Sequence, residues 1–404
     1  MDVDVLIVGL GPAGATVLSK LAKLVDSEIS ILGIDRRQEP GFPVHCGEFM
    51  PTSKEMAILM PGVPKAKEFF TFKDEFISSL TNRITFFSPH GKVIETPFEG
   101  YTIHRGEWNA HLVKTAIEHG AEVWTSACAV GMENGQIIVS QNKKSSVKVK
   151  PRIIVGADGA NSRVAKWTGL AEVRSPHHFV VTKQHVMADI TSELYDSSNV
   201  QMFFGEKYAP GAYAWIIPKD DHTANVGVGI RTPMMKGNMS VSKALSNLIN
   251  VHPVAKRILK SARIIHTIGG LVPVGLPFKN SVDLKTKTLL VGDSSCQVVS
   301  SVGAGIPTSM VAGKIAAETI QSYYFENGLL NSYHFEWQKQ MQTTFNQAYK
   351  LRQFFDRISM TDSKIQWYMN RLKSSDIDKV VHCSVPWKVS LANSIMRFLN
   401  VIIK

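Results

Sequence analysis

At 404 residues, 44% hydrophobic and 20% charged, the chain is too long for one ordinary core and too apolar for a disordered polymer, so two intertwined globular domains able to bury a large cofactor are expected. Lys and Arg (45) outnumber Asp and Glu (34), and the net charge of +11 points to anionic partners. No helix-turn-helix, zinc-finger or RNP-type signature accompanies that charge, which disfavours nucleic acid and leaves an anionic lipid or a phosphorylated substrate.

The first predicted element is an apolar strand over residues 3–8, which runs into Gly9-Leu10-Gly11-Pro12-Ala13-Gly14 and then a helix. The G-x-G-x-x-G spacing suits a dinucleotide cradle: Gly9 for the tight turn, Gly11 for close approach of a pyrophosphate, Gly14 for helix–strand packing. The free amides at the helix start would face the phosphates. A second strand over 29–34 ends at Asp35, 21 residues after Gly14, where this fold places a carboxylate on the adenosine ribose. No basic-then-apolar leader precedes the first strand and no run of about 18 apolar residues occurs, so neither signal peptide nor transmembrane helix is expected.

Residues 36–51 read as a loop containing His45-Cys46-Gly47-Glu48. A thiol beside an imidazole invites a catalytic reading through a lowered cysteine pKa, with a buried inert thiol and a solvated His as the alternative. Cys128, Cys296 and Cys383 are scattered and form no C-x-x-C pair, so a disulfide framework or metal site is not expected and a cytoplasmic location is.

Residues 80–100 alternate apolar and polar positions around Ser88-Pro89-His90-Gly91, a hairpin signal. Arg105 then opens a helix, where a cation opposes the dipole; either an anion such as cofactor phosphate or flavin carbonyl holds it, or it pairs at the surface with Glu107 or another acid. Strands follow at 121–127, 136–140 and 148–155, with the lysine-rich stretch after Asn134-Gly135 as a solvated hairpin flank. The last strand enters Gly156-Ala157-Asp158-Gly159, which puts a carboxylate and flexible backbone at the ligand-binding edge of the sheet; a helix cap at Asp158 or Ser162 is the alternative.

From 173 to 285 longer strands, at 179–190, 200–204, 212–217 and 223–230, mark a second, sheet-rich domain. Period two places Tyr213, Trp215 and Ile217 on one face, as core or as the wall of an apolar channel. The chain returns through a strand to Gly292-Asp293 and to Gly303-Ala304-Gly305-Ile306-Pro307, which points a second helix N-terminus at a ligand. Residues 325–404 read as helices, and Leu391, Ile395, Phe398, Leu399 and Ile402 share one face of an amphipathic tail that packs on the body or rests on an anionic bilayer. No second G-x-G-x-x-G occurs, so no built-in nicotinamide domain is expected.

Taken in order, Gly9 to Gly14, Gly156 to Asn161, and Gly292-Asp293 with Gly303 to Gly305 resemble the FAD-binding fold of the aromatic hydroxylase type. Cys46-Gly47, Arg105 at a helix start and the strand bearing Tyr213, Trp215 and Pro218 look most like the geranylgeranyl reductase family, in particular archaeal enzymes that saturate membrane-lipid isoprenoids. The likeness covers residues 1 to about 322; Asp293-Ser294-Ser295 departs from it where alanines often follow the Asp, as does Ile216-Ile217 where an aromatic often precedes the Pro.

The resemblance implies an α/β, Rossmann-type FAD domain over 1–172 and 286–322, to whose partner 50–100 contribute, an intertwined substrate-binding β-sheet domain over 173–285, and a helical C-terminal region over 323–404. FAD would be held by Gly9, Gly11, Pro12, Ala13 and Gly14, by Asp35 and Arg36, by Cys46, Gly47 and Arg105, and by Asp158 and Gly159. Gly292, Asp293, Gly303, Ala304, Gly305 and Ile306 would complete the cofactor site, and Cys46, His45, Tyr213 and Trp215 would serve catalysis. A geranylgeranyl lipid or diphosphate would be reduced with electrons from NAD(P)H or ferredoxin, in the cytoplasm and in peripheral contact with the inner membrane face. Two other readings share the flavin motifs: a flavin monooxygenase or halogenase, and an electron-transfer flavoprotein to quinone, against which the scattered cysteines argue because iron–sulfur clusters favour closely spaced ligands.

Overall fold

The computed structural model describes residues 1–384 apart from 143, 144, 173, 174, 236 and 360. The amphipathic tail lies outside the described residues. The apolar run of the first strand, Asp2–Val8, is explained by its place at the centre of a mainly parallel sheet, where Val5, Leu6 and Ile7 are fully buried. Ile31–Ile34 pairs on one side, Val8 opposite Ile34, and Ser145–Gly156 on the other, Val8 opposite Gly156. Beyond that, Thr288–Leu290 sets Leu290 against Gly156. The register therefore aligns the ends of three strands, and the three glycine motifs that leave them emerge side by side at the carboxyl edge.

Small residues let the helices close on this edge. A Cβ on Gly14 would stand 1.8 Å from the Gly9 carbonyl oxygen, and one on Gly313 would stand 2.8 Å from Thr16 Cβ, where the Pro12–Val25 helix meets the Ile306–Phe325 helix.

The second sheet has eight strands in the order Arg263–Pro273, Phe179–Ala188, Ala224–Arg231, Ala214–Pro218, Asn199–Phe203, Ile77–Phe87, Val93–Ile103 and Phe49–Pro51. Neighbours are antiparallel except Asn199–Phe203 against Ile77–Phe87. One face buries Ala214, Ile216, Val226, Val228 and Ile230 under the helices Val241–Asn250 and Pro253–Ile258. The second of these is capped by His252, whose Nδ1 accepts from Val254 and Ala255; burial pushes the ring down to about 4, which keeps it the neutral acceptor the cap requires. Trp215 and Ile217 point to the opposite face.

Three elements differ from the sequence expectation. The strand expected over 121–127 is two, Glu122–Trp124 and Ala127–Glu133, separated by Ser126 at φ +52°; the second forms a hairpin with Gln136–Gln141 across Asn134 and Gly135, both at positive φ. The loop over 36–51 ends in the short strand Phe49–Pro51. Arg263–Pro273 is a strand where none was expected, and it lacks alternation because it is an edge strand whose first five residues are exposed.

The Ser332–Ile358 helix sinks Tyr333, Trp337, Met341 and Phe345 into the core around the first sheet, and the helices Asp362–Arg371 and Ser374–Val381 cover the second with Ile365, Met369 and Ile377. His382 Nε2 lies 2.6 Å from Glu55 Oε2 and fastens the end of this strap. Among the described residues, no helix is long and apolar enough to cross a membrane.

Candidate functional site

At the carboxyl edge Gly9 adopts φ +92°, and a Cβ there would stand 2.6 Å from the Ala157 carbonyl oxygen. Gly11 is different: its backbone is extended and a Cβ on it would meet nothing within 4 Å. Asp35, 6% exposed, accepts from the backbone N–H of Leu10 at 2.8 Å and of Arg37 at 2.8 Å, which aims its carboxylate at the loop. Arg36 beside it is exposed. Asn109 Nδ2 donates to the Leu10 carbonyl at 2.8 Å and pins the loop from the Arg105–Glu118 helix. Ala13 packs against Gly292, where a Cβ would come within 2.8 Å of its own.

The Asp158 carboxylate accepts from Ser162 Oγ at 2.5 Å and from the N–H groups of Arg163 and Val164, so it caps the Arg163–Trp167 helix, while Gly159 at φ +84° faces open space. Ser294 has a structural reason to stand where an alanine was expected: its hydroxyl donates to the Gly156 carbonyl at 2.6 Å and ties two strand ends together. Gly305 leaves room for Asp293, whose Oδ1 would lie 3.2 Å from a Cβ there. The helices starting at Pro12 and Ile306 have neither a side-chain cap nor an acidic residue in the first turn, so their amides remain available to an anionic ligand.

Arg105 is 8% exposed, and its Nε has no hydrogen-bond partner among the described residues. The helix dipole is met instead by Glu48, whose Oε1 accepts from the Arg105 N–H at 3.2 Å. Glu48 Oε2 accepts from Asn225 Nδ2 at 3.1 Å and pairs with Lys219 Nζ. Among the described residues no ion pair joins Arg105 to Glu107, and Arg105 is buried rather than at the surface.

The second sheet holds the Cys46-Gly47 loop by its carbonyls. Gln184 Nε2 donates to the Cys46 carbonyl at 3.0 Å, Asn225 Nδ2 to that of Gly47 at 3.0 Å, and Trp215 Nε1 to Gln184 Oε1 at 2.9 Å. A Cβ on Gly47 would stand 2.9 Å from Ile217 Cδ1, so a larger residue would require the isoleucine tip to shift. Trp215 lies flat over Gly227, whose Cβ would meet the indole at 2.3 Å, and its ring centroid is 5.9 Å from that of Tyr213. Tyr213 donates to the Val302 carbonyl at 2.6 Å and so reaches the loop that carries Gly303, Ala304 and Gly305.

Of the two readings of Cys46, the structure favours the buried thiol over the lowered pKa. Burial pushes the Cys46 thiol above its ordinary value, and the Arg105 charge with the Glu48 N–H, 3.2 Å from Sγ, offsets only part of this. Burial likewise raises Tyr213 to about 12, so both groups keep their protons at neutral pH. His45 is exposed at the rim, with Nδ1 donating to the Gly269 carbonyl at 2.7 Å; partial burial, together with Arg37, Arg105 and Arg36, lowers its pKa despite that bond.

The structure thus gathers Cys46, Gly47, Arg105, Tyr213 and Trp215 between the two sheets. Glu48, Gln184, Lys219, Asn225 and Asn109 were not anticipated; Asn225 did carry a signal as a polar residue inside the otherwise apolar run 224–230, whereas Gln184 is one of four polar residues in a row, 182–185, and carried none. An FAD fits these residues: a glycine with open space at the pyrophosphate position, two uncapped helix starts, a buried carboxylate on the ribose side, and a buried arginine whose Nε has no acceptor among the described residues.

Residues 179–272 match the family model described as the geranylgeranyl reductase catalytic domain. A digeranylgeranylglycerophospholipid reductase of Methanosarcina acetivorans is 30% identical over 330 residues, covering 78% of this chain and 74% of the relative. A geranylgeranyl bacteriochlorophyll reductase-like protein of Thermoplasma acidophilum superposes with a TM-score of 0.77 at 24% identity over 91% of each chain. A flavin-dependent brominase shares the fold at a TM-score of 0.71 and 17% identity, over 99% of this chain and 100% of its own.

Proposed function

The chain belongs to the geranylgeranyl reductase family, and from that premise we propose that it binds FAD and saturates carbon–carbon double bonds of geranylgeranyl chains in membrane-lipid precursors. The observation that carries this reading is the Tyr213 and Trp215 face, an apolar wall that leads to the Cys46-Gly47 loop beside the Gly303-Ala304-Gly305 turn. The chemistry the bound flavin supplies is hydride donation to an alkene carbon.

The chain's own residues do the rest. Gly11 and the helix starts at Pro12 and Ile306 receive the anionic parts of the cofactor, and Arg105 supplies a fixed positive charge. Tyr213 and Trp215 align a flexible chain and exclude water, which matters because an isolated alkene reacts only when held in register. Cys46 holds a proton on Sγ at the same place. Electrons come from an external donor, NAD(P)H or ferredoxin, and contact with the cytoplasmic membrane face falls to the tail.

In the test, reduced holoprotein is mixed with geranylgeranyl diphosphate without oxygen, and flavin absorbance is followed. Substrate-dependent reoxidation is expected; none with any geranylgeranyl compound would remove the proposal. Cys46→Ala should keep flavin content and melting temperature while turning over at least about a hundredfold more slowly, the lower end of the range for a lost proton-transfer group. Unchanged turnover would return Cys46 to the role of an inert thiol.

A further inference from the structure

The apolar face does not end at Tyr213. Successive positions along it are Trp215 over Gly227, then Tyr213, whose carbonyl accepts from the Gly229 N–H, then Arg231, whose stem covers Gly211. Arg231 lies four residues beyond Gly227 on the same face, roughly 13 Å along the strand. There the sheet meets the Ser332–Ile358 helix, and a cleft of about 340 Å³ is lined by His177, Arg231, Met234, Arg352, Asp356 and Arg357.

Two of these arginines are buried, Arg231 at 3% and Arg352 at 7% exposure, and they share one carboxylate. Arg231 Nε lies 3.3 Å from Asp356 Oδ1 and Arg352 Nη2 lies 3.4 Å from Asp356 Oδ2, while both guanidinium groups also donate to the His177 carbonyl. Arg231 Nη1 and Arg352 Nε are buried without an acceptor among the described residues. Two guanidinium groups against one carboxylate leave an excess positive charge away from water, which is costly unless an anion completes the cluster. Burial pushes Arg231 down to about 10 even with Asp356 beside it, the direction expected of a cation short of counter-charge. Guanidinium forks match phosphate oxygens in a way that a point charge does not.

We propose that this cleft is the phosphate subsite of the substrate: Arg231 and Arg352 hold the phosphate or diphosphate head group while the isoprenoid chain runs back along Tyr213 and Trp215 to Cys46. This rests on the reductase reading above.

The experiment titrates full-length holoprotein with geranylgeranyl diphosphate and with geranylgeraniol, which lacks the anion, and follows tryptophan fluorescence. Arg352→Gln should weaken the diphosphate about tenfold or more and the alcohol less than about twofold, as expected for a lost charged hydrogen bond. Asp356→Asn removes the competing carboxylate and should tighten the diphosphate; this opposite sign is one that a purely structural cluster would not give, and it keeps the test alive if Arg352→Gln does not fold. Inorganic diphosphate and glycerol phosphate, added as competitors, tell which head group the cleft takes.

Equal losses for diphosphate and alcohol, no loss, or failure of both competitors would overturn the subsite. If neither geranylgeranyl ligand binds the wild type, the reductase reading fails separately. The cleft is then judged on inorganic diphosphate alone: a rise in melting temperature that Arg352→Gln abolishes supports it, and no rise removes it.

Discussion

Gly11→Val should yield a folded protein that purifies without flavin, whereas Gly14→Val should not fold. The two glycines stand three residues apart in one motif, and the structure gives them different work. Gly11 has φ −71°, which any residue adopts, and a side chain there meets no protein atom within 4 Å. Valine therefore costs the fold little and fills only the space a pyrophosphate needs. A Cβ on Gly14 would stand 1.8 Å from the Gly9 carbonyl oxygen, and the obstructing atom is backbone that cannot rotate away. Its cost should exceed the roughly 1–3 kcal/mol typical of overpacking. Absorbance spectra with thermal melts of both variants check this, and Gly11→Val that retains bound flavin would refute the assignment of the cradle.

Lys219→Met should destabilise the protein by about 3–5 kcal/mol in equilibrium urea unfolding, because it strands a buried carboxylate. The Glu48 side chain is 6% exposed and that of Lys219 is 17% exposed, so solvent does little to screen the pair. Glu48→Gln added to Lys219→Met should recover much of the loss, since an amide needs no counter-charge. A loss below about 1 kcal/mol for the single variant would place the pair among weak surface contacts. Glu48 also supplies the N–H to Cys46 Sγ and the carboxylate at the Arg105 helix start, so a shifted flavin spectrum should accompany the unfolding change.

How much of this was legible in the sequence depended on the distance between partners. The Gly9 to Gly14 cradle and Asp35 were readable because a strand, a turn and a helix follow one another along the chain, and spacing alone states the geometry. The shared face of Trp215 and Ile217 was readable because strand alternation is local. The residues that hold the Cys46-Gly47 loop were not: Gln184 reaches Cys46 across 138 positions and Asn225 reaches Gly47 across 178. The choice between the two readings of Cys46 could not be made from sequence for the same reason, since His45 beside it in sequence points away to Gly269, while burial by distant strands raises the thiol. The sequence left Arg105 open between a ligand anion and the neighbouring Glu107, and it could not show that the carboxylate at the helix start is Glu48, from another segment, which accepts from the Arg105 backbone N–H.

The central claim is reduction of isoprenoid double bonds, and the most direct measurement is the mass of the product formed when chemically reduced holoprotein turns over a geranylgeranyl substrate without oxygen. The account predicts a gain of two hydrogens for each double bond saturated, in step with flavin reoxidation. A product that gains an oxygen atom and forms only when oxygen is admitted would contradict it, as would reoxidation by quinone alone with the isoprenoid unchanged.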